Sequence, residues 1–222
     1  MSEEPTVRVE VWSDVVCPWC YIGKRRLEKA LGQFPHADRV EVEWRSFQLN
    51  PAYPRGGEEP IYEYLGREVA GSPARARAMT EQVTALAAQE GLAYDFDRAR
   101  MVNTFDAHRL SHLAKAHGLG GQAHERLMHA HFVEGEALND PETLVRLGAE
   151  VGIPAAEARR MLAGDEYAGD VEEDARQARS LGATGVPFFV LDRAYGISGA
   201  QPVEAFRSAL RTAYEQAGAP AR

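Results

Sequence analysis

The 222-residue chain holds only two cysteines, shows no basic excess and has no long apolar run. Each shortage excludes something. With 33 acidic residues against 25 basic ones the formal charge is -8, which argues against nucleic acid as a partner. No apolar stretch reaches the roughly 20 residues that span a bilayer, so no membrane is expected. The opening Met1-Ser2-Glu3-Glu4-Pro5-Thr6 is acidic and polar, unlike the positive start and apolar stretch of a secretory signal, and the cytoplasm is the expected compartment. A chain of this length buries a core without staples. Disulfides that do form in a reducing compartment are mostly transient, catalytic or regulatory. Both cysteines, Cys17 and Cys20, fall in one short motif, and a staple closing so small a loop would restrict the unfolded chain little. Chemistry is favoured over bracing.

Val7, Val9 and Val11 alternate with Arg8 and Glu10 and lead to Trp12, the period-two pattern of a strand over residues 6–12. Helical spacing with Leu27 and Leu31 predicts a helix from about Pro18 to Leu31. Pro18 suits its first turn, where the missing N–H has no partner to lose, and Cys17 falls at the helix mouth. Alternation returns over 39–47 as a second strand. From about Glu58 to Asp165 come Ala-, Glu- and Arg-rich segments with helical spacing, divided by Gly or Pro. Asp140-Pro141-Glu142 is a helix start with a capping carboxylate. Further on come a helix over 171–181, a buried strand over 186–191 that begins at a proline, a turn over 192–196 and a closing helix over 202–217. The expected organisation is an α/β domain over 1–57 and 166–222, interrupted by an all-helical domain over 58–165.

Positions three apart on a helix share a face, so Cys17 and Cys20 can form a reversible disulfide at the first turn. Thiol–disulfide exchange needs a thiolate, and a helix start carries roughly half a positive charge with free N–H groups. Cys17 is the better-placed nucleophile. Cys20, further into the helix, is the resolving thiol that attacks a mixed disulfide and frees the substrate. Two cysteines so spaced are also half of a tetrahedral zinc site. His108 and His112, four apart on a helix, could complete it, but the strand-then-helix context favours redox chemistry and no metal is expected. His124-Glu125 followed by His129 resembles a metalloprotease helix, yet its second His comes five residues on and is rotated about 140° away.

The chain resembles the DsbA-like thioredoxin family, and within it the cytoplasmic FrnE branch. The resemblance rests on Trp12-Ser13-Asp14-x-x-Cys17-Pro18-Trp19-Cys20-Tyr21-x-Gly23, Asn103-Thr104-Phe105-Asp106-Ala107-His108-Arg109 and Gly185-Val186-Pro187-Phe188-Phe189. It implies a thioredoxin fold interrupted by a helical domain, and a cis Pro187 facing the dithiol. The backbone of Val186 would then pair with an extended substrate. Pro18 and Trp19 are candidate substrate contacts, with a half-exposed packing residue as the equal alternative at Trp19; the resemblance places Asn103 and His108 near the cleft, although a lone His on an Ala-rich helix is more often packing or surface. Periplasmic relatives often carry a His where Trp19 stands, so a less oxidising couple is expected here. Lys24, Arg25 and Arg26 read as a solvated helix face.

The reading that results is an enzyme exchanging disulfides with protein or peptide thiols, with no bound cofactor and with glutathione as an optional co-substrate. The same fold serves glutathione-dependent isomerases and kappa-type transferases, which generally carry Ser at the first motif position and lack the second Cys. FrnE-type proteins are associated with aromatic polyketide pathways. A third reading is a non-catalytic zinc-holding module. Monomer and homodimer are both compatible with the sequence.

Overall fold

The structure, a computed structural model, describes residues 5–218. Met1 to Glu4, read above for a signal, and residues 219–222 at the end of the second α/β segment lie outside it.

The alternating valines form β1 (Val7–Ser13), followed by α1 (Pro18–Leu31) and β2 (Val40–Ser46). β2 runs parallel to β1 from Val7 opposite Val40 to Ser13 opposite Ser46. Near the other end of the chain, β5 (Phe188–Leu191) lies antiparallel against β1, and β6 (Tyr195–Ser198) against β5, giving the order β2-β1-β5-β6. β1 is thus an inner strand, and this explains its burial on both faces. Val7, Val9 and Val11 pack with Phe189 and Leu191 against Leu27 of α1 and Phe206 and Leu210 of α9 (Val203–Ala217). Trp12, Phe188 and Val190 face the other way, onto Ala178 of α8 (Ala168–Ser180).

That second face is covered as well. Glu10 is buried there, held by Arg45 from β2 and by Arg193. Arg193 and Asp192 sit in the left-handed region (φ 55° and 47°) in the tight turn between β5 and β6, which aims the guanidinium back at Glu10. The strand begins at Phe188 and not at Val186, since Pro187 has no N–H to give; its carbonyl instead accepts Gly199 N–H at 2.8 Å.

Between the two α/β segments lie α2 (Ile61–Leu65), α3 (Pro73–Gln89), α4 (Phe105–Ala116), α5 (Gly120–His129), α6 (Pro141–Glu150) and α7 (Ala155–Ala163). The start at Asp140 is as the sequence suggests: its carboxylate accepts Thr143 N–H at 2.7 Å, with Pro141 at the first helical position. The stretch is not wholly helical. β3 (Glu58–Pro60) pairs antiparallel with β4 (Arg100–Val102), a ladder too short and too polar to show as alternation. Two π-helical turns, 66–70 and 130–134, extend α2 and α5 and end at Gly71 and Gly135 with φ of 78° and 70°. Leu110, Leu113, Leu127, Leu144, Leu147, Ile153 and Met161 form one core among these helices. A second core joins Cys17, Cys20, Tyr21 and Ile22 of the first segment to Val83, Tyr94, Phe96, Met128 and Phe132 of the middle stretch.

Candidate active site

β1 delivers the chain to a turn in which Cys17 N–H bonds Asp14 O at 3.0 Å, and Cys17 becomes the N-cap of α1 with extended backbone (φ -91°, ψ 113°). Pro18 takes the first helical position, and Cys20 N–H returns to Cys17 O at 3.0 Å. Both cysteines are free thiols, 3% and 1% exposed. Across from them the Val186–Pro187 peptide is cis, and the Cys17 sulfur lies 3.7 Å from Val186 O. Pro18 is half-buried and Trp19 is 40% exposed, an apolar surface beside the dithiol.

Helix starts favour negative charge, and Cys17 occupies that position. Cys20 is held differently. Burial first, and then its hydrogen bond to Cys17 and the charge there, push its thiol well above the usual range, against hydrogen bonds from the Ser13 hydroxyl and the Asp14 N–H. The two sulfurs are therefore unlike: one at the helix mouth beneath a carbonyl, the other a buried thiol behind it.

Asp14 ties the site together. Its carboxylate accepts Leu49 N–H at 2.8 Å on one oxygen and meets His108 Nε2 at 3.2 Å on the other. His108 is 2% exposed. Asn103 is buried in the loop before α4, not on a helix, where its oxygen accepts Phe105 N–H at 2.9 Å and its amide bonds Tyr53 O. Both side chains are buried, His108 against Asp14 and Asn103 against Tyr53 O and Phe105 N–H. Arg109 of the same motif stitches the chain after α7, donating to the carbonyls of Glu166 (2.8 Å), Met161 and Gly164 (both 2.5 Å).

The expectation of a solvated face at Lys24, Arg25 and Arg26 is overturned. Lys24 is buried between Glu28 and Glu125, with Glu125 at 2.6 Å. Arg25 pairs with Glu28 and Glu125, while Arg26 bonds Glu90 at 2.8 Å and Ala200 O at 2.6 Å. Burial opposes the Glu125 charge, but hydrogen bonds from Arg25, Lys24 and Tyr21 prevail and hold its pKa at about 2. The remote partners lie up to 174 residues away, beyond the reach of a local pattern.

The histidines that a zinc reading would recruit are engaged elsewhere: His108 with Asp14, and His112 with Ser46 Oγ and Asp174 Oδ2, both at 3.1 Å. Among the described residues no group of three or more His, Cys, Asp or Glu is placed to hold a metal ion. His124 faces inward, 3.0 Å from Ser13 Oγ and stacked on Trp44 at 4.2 Å, whereas the side chain of His129 is 45% exposed. A cavity of about 260 Å³ lies here, lined by Trp44, Ser46, His108, His112, Lys115 and His124. Sequence reasoning missed Tyr94 altogether. Its hydroxyl donates to Pro18 O at 2.7 Å, and its ring stacks on Phe132 at 4.6 Å.

The model of the DSBA-like thioredoxin domain matches residues 8–211. The Bacillus subtilis protein YwbO is 28% identical over 208 residues, 92% of this chain and 96% of that one. Among solved structures, a probable DsbA oxidoreductase from Streptomyces coelicolor is 46% identical with a TM-score of 0.92, covering 97% of this chain and 93% of that one. A 2-hydroxychromene-2-carboxylate isomerase shares the fold alone, with a TM-score of 0.70 at 16% identity over 94% and 97% of the two chains. A four-stranded sheet with its dithiol at the mouth of α1, together with a match spanning nearly all the described residues, shows that this chain belongs to the DSBA-like thioredoxin domain family.

Proposed function

We propose that the protein is a cytoplasmic thiol–disulfide oxidoreductase acting on protein or peptide thiols and disulfides. One observation carries the reading: two reduced cysteines share the first turn of α1, Cys17 at the N-cap under Val186 O and Cys20 held as a thiol behind it. The Cys17 thiolate attacks a substrate disulfide; a Cys17–substrate bond forms, the substrate S–S bond breaks, and one substrate sulfur leaves as thiolate. Cys20 then attacks Cys17 Sγ, the Cys17–Cys20 bond forms, and the second substrate thiolate leaves. The substrate gains two electrons and the protein dithiol loses them; run backwards, the same steps oxidise a substrate. An extended chain laid along Val186 and Pro187 would reach Cys17 by strand addition. Exposed Trp19 and Leu49, the latter tied to Asp14 through its backbone, supply apolar surface for it beside Pro18.

A second reading, a glutathione-dependent isomerase or transferase, draws support from the fold shared with the isomerase. Chemistry that works through the glutathione thiol has no use for Cys20, so two cysteines weigh against it. Glutathione keeps a place as co-substrate. Cys20→Ser protein incubated in lysate should accumulate mixed disulfides on Cys17, identifiable by mass spectrometry. Recovery of glutathione alone, together with failure of the unaltered protein to reduce insulin, would transfer the assignment to the second reading.

A further inference from the structure

The segment that leaves β2 runs beside the dithiol turn. Phe47 N–H bonds Ser13 O at 3.2 Å and Leu49 N–H bonds the Asp14 carboxylate at 2.8 Å, while Asp14 O receives the Cys17 N–H at 3.0 Å. Facing this segment, α8 carries Val171, Ala175 and Arg179, four residues apart and therefore on one side of the helix. Between them lies a groove of about 340 Å³, walled by Phe47, Pro51, Phe105, Val171 and Ala175. Phe47 belongs to a second surface as well. With Leu181, Ala183 and Val186, each half-buried, it packs on the cluster of Trp12, Ala178, Phe188 and Val190. One residue thus joins the groove to the apolar layer that bears Val186. At the mouth, Arg176 and Arg179 stand against Glu172. Arg176 is paired with Glu173, and Arg55, stacked over the Phe105 ring at 4.0 Å, is bonded to Asp106 at 3.1 Å. The exposed Arg179 has no carboxylate partner among the described residues. In a chain of formal charge -8, an unpaired cation above an apolar groove favours an acidic ligand group.

Resting on the oxidoreductase reading, we propose that this groove selects the substrate: while an extended chain pairs along Val186, an aromatic or branched apolar side chain near its reacting cysteine enters between Phe47, Phe105 and Ala175, and an adjacent acidic residue pairs with Arg179. Main-chain pairing reads no sequence, so the choice among substrates falls to pockets beside the strand. The two phenylalanine rings offer face and edge contacts to an incoming ring. Arg179 adds discrimination against a basic neighbour, which would leave two cations facing each other. The substrate class is therefore a protein or peptide disulfide whose cysteine is flanked by an apolar–acidic pair.

Peptides whose cysteine is blocked as the 2-pyridyl disulfide test this. Attack by Cys17 on the peptide sulfur forms the mixed disulfide, breaks the bond to the pyridyl sulfur and releases pyridine-2-thione, which is followed by its absorbance. Peptides with Phe-Glu on one or the other side of the cysteine are compared with Phe-Lys and Ser-Lys counterparts, and with hydroxyethyl 2-pyridyl disulfide, which has no chain to dock. The unaltered protein is expected to react with the Phe-Glu peptide at least tenfold faster than with Ser-Lys in one of the two orientations. Ala175→Trp, which fills the groove, should bring that ratio within threefold, and Arg179→Glu should turn the preference from Phe-Glu to Phe-Lys. Both variants should react with the hydroxyethyl compound within threefold of the parent rate. A parent that does not distinguish Phe-Glu from Ser-Lys in either orientation overturns the proposal. So does either variant that keeps the parent's preference; if Ala175→Trp does so while changing the elution volume in gel filtration, the groove is a contact between copies of the chain instead. Should Ala175→Trp fail to fold, Arg179→Glu, which alters an exposed side chain, decides. Failure of the unaltered protein to react with the hydroxyethyl compound would instead defeat the oxidoreductase reading itself.

Discussion

The hydroxyl of Tyr94 sits 2.7 Å from the carbonyl oxygen of Pro18, so the loop after α3 fastens the first peptide of the dithiol turn from a distance of 76 residues. Stacking on Phe132 holds the ring in place. Tyr94→Phe keeps the stack and removes the second hydrogen bond to that carbonyl, which as the first of α1 keeps its helical partner, at a cost of about 1 kcal/mol. Urea unfolding should read this loss, and the alkylation rate of Cys17 should change with it. Unchanged values for both would show that the bond constrains nothing.

Gly23 is where α1 presses on Pro187 and on Phe189 of β5. A Cβ there would lie 3.1 Å from both Phe189 Cζ and Pro187 Cγ. Gly23→Ala should therefore destabilise the fold by about 1–3 kcal/mol and shift Val186 relative to Cys17, slowing mixed-disulfide formation. A variant with the parent's melting temperature and thiol reactivity would refute the squeeze.

Acid should unfold the protein from an unusually high pH. Burial lowers His131 to about 4, slightly offset by Asp14, and both its ring nitrogens are buried without a hydrogen-bond partner; His124 stands at about 3. These rings are neutral in the fold, whereas the unfolded chain takes up their protons below about 6.5. Their contribution is complete above pH 6.5 and is lost as pH falls through 4 and 3, each adding up to about 1.4 kcal/mol per pH unit. Glu125, at about 2, adds a further loss below about 4.5. Equal urea midpoints at pH 7 and pH 5 would contradict this, and His131→Leu should flatten the upper part of the profile.

Trp19 brings no positive charge to the dithiol, so the reduced form gains less from it than from an imidazolium. Equilibration with glutathione should give a potential well below the roughly -120 mV of strongly oxidising relatives. Trp19→His should raise it. A potential at that oxidising end for the unaltered protein would remove the argument.

What could be read ahead of the structure was local. Val7, Val9 and Val11, the Asp140-Pro141 start and the Cys17-Pro18 helix mouth each act within one turn or one strand, and all three hold. Failures came where a partner is remote. Lys24 meets Glu125 and His108 meets Asp14, and no periodicity encodes either. The β3–β4 ladder spans three residues a side and includes Pro60, too little for a strand signature. Tyr94 lies between elements, where side-chain identity predicts little about position.

The gap of 169 residues between Cys17 and Val186 also bears on how the molecule is made. β1 leaves the ribosome early but has β5 as one neighbour, so it waits for nearly the whole chain before that edge is covered. Until then the two thiols stand unshielded in a nascent chain whose sheet lacks half its strands. On the proposed function, competence in disulfide exchange would arrive only after residue 186 is made, and a chain truncated before it would carry the motif without the cis Pro187 opposite.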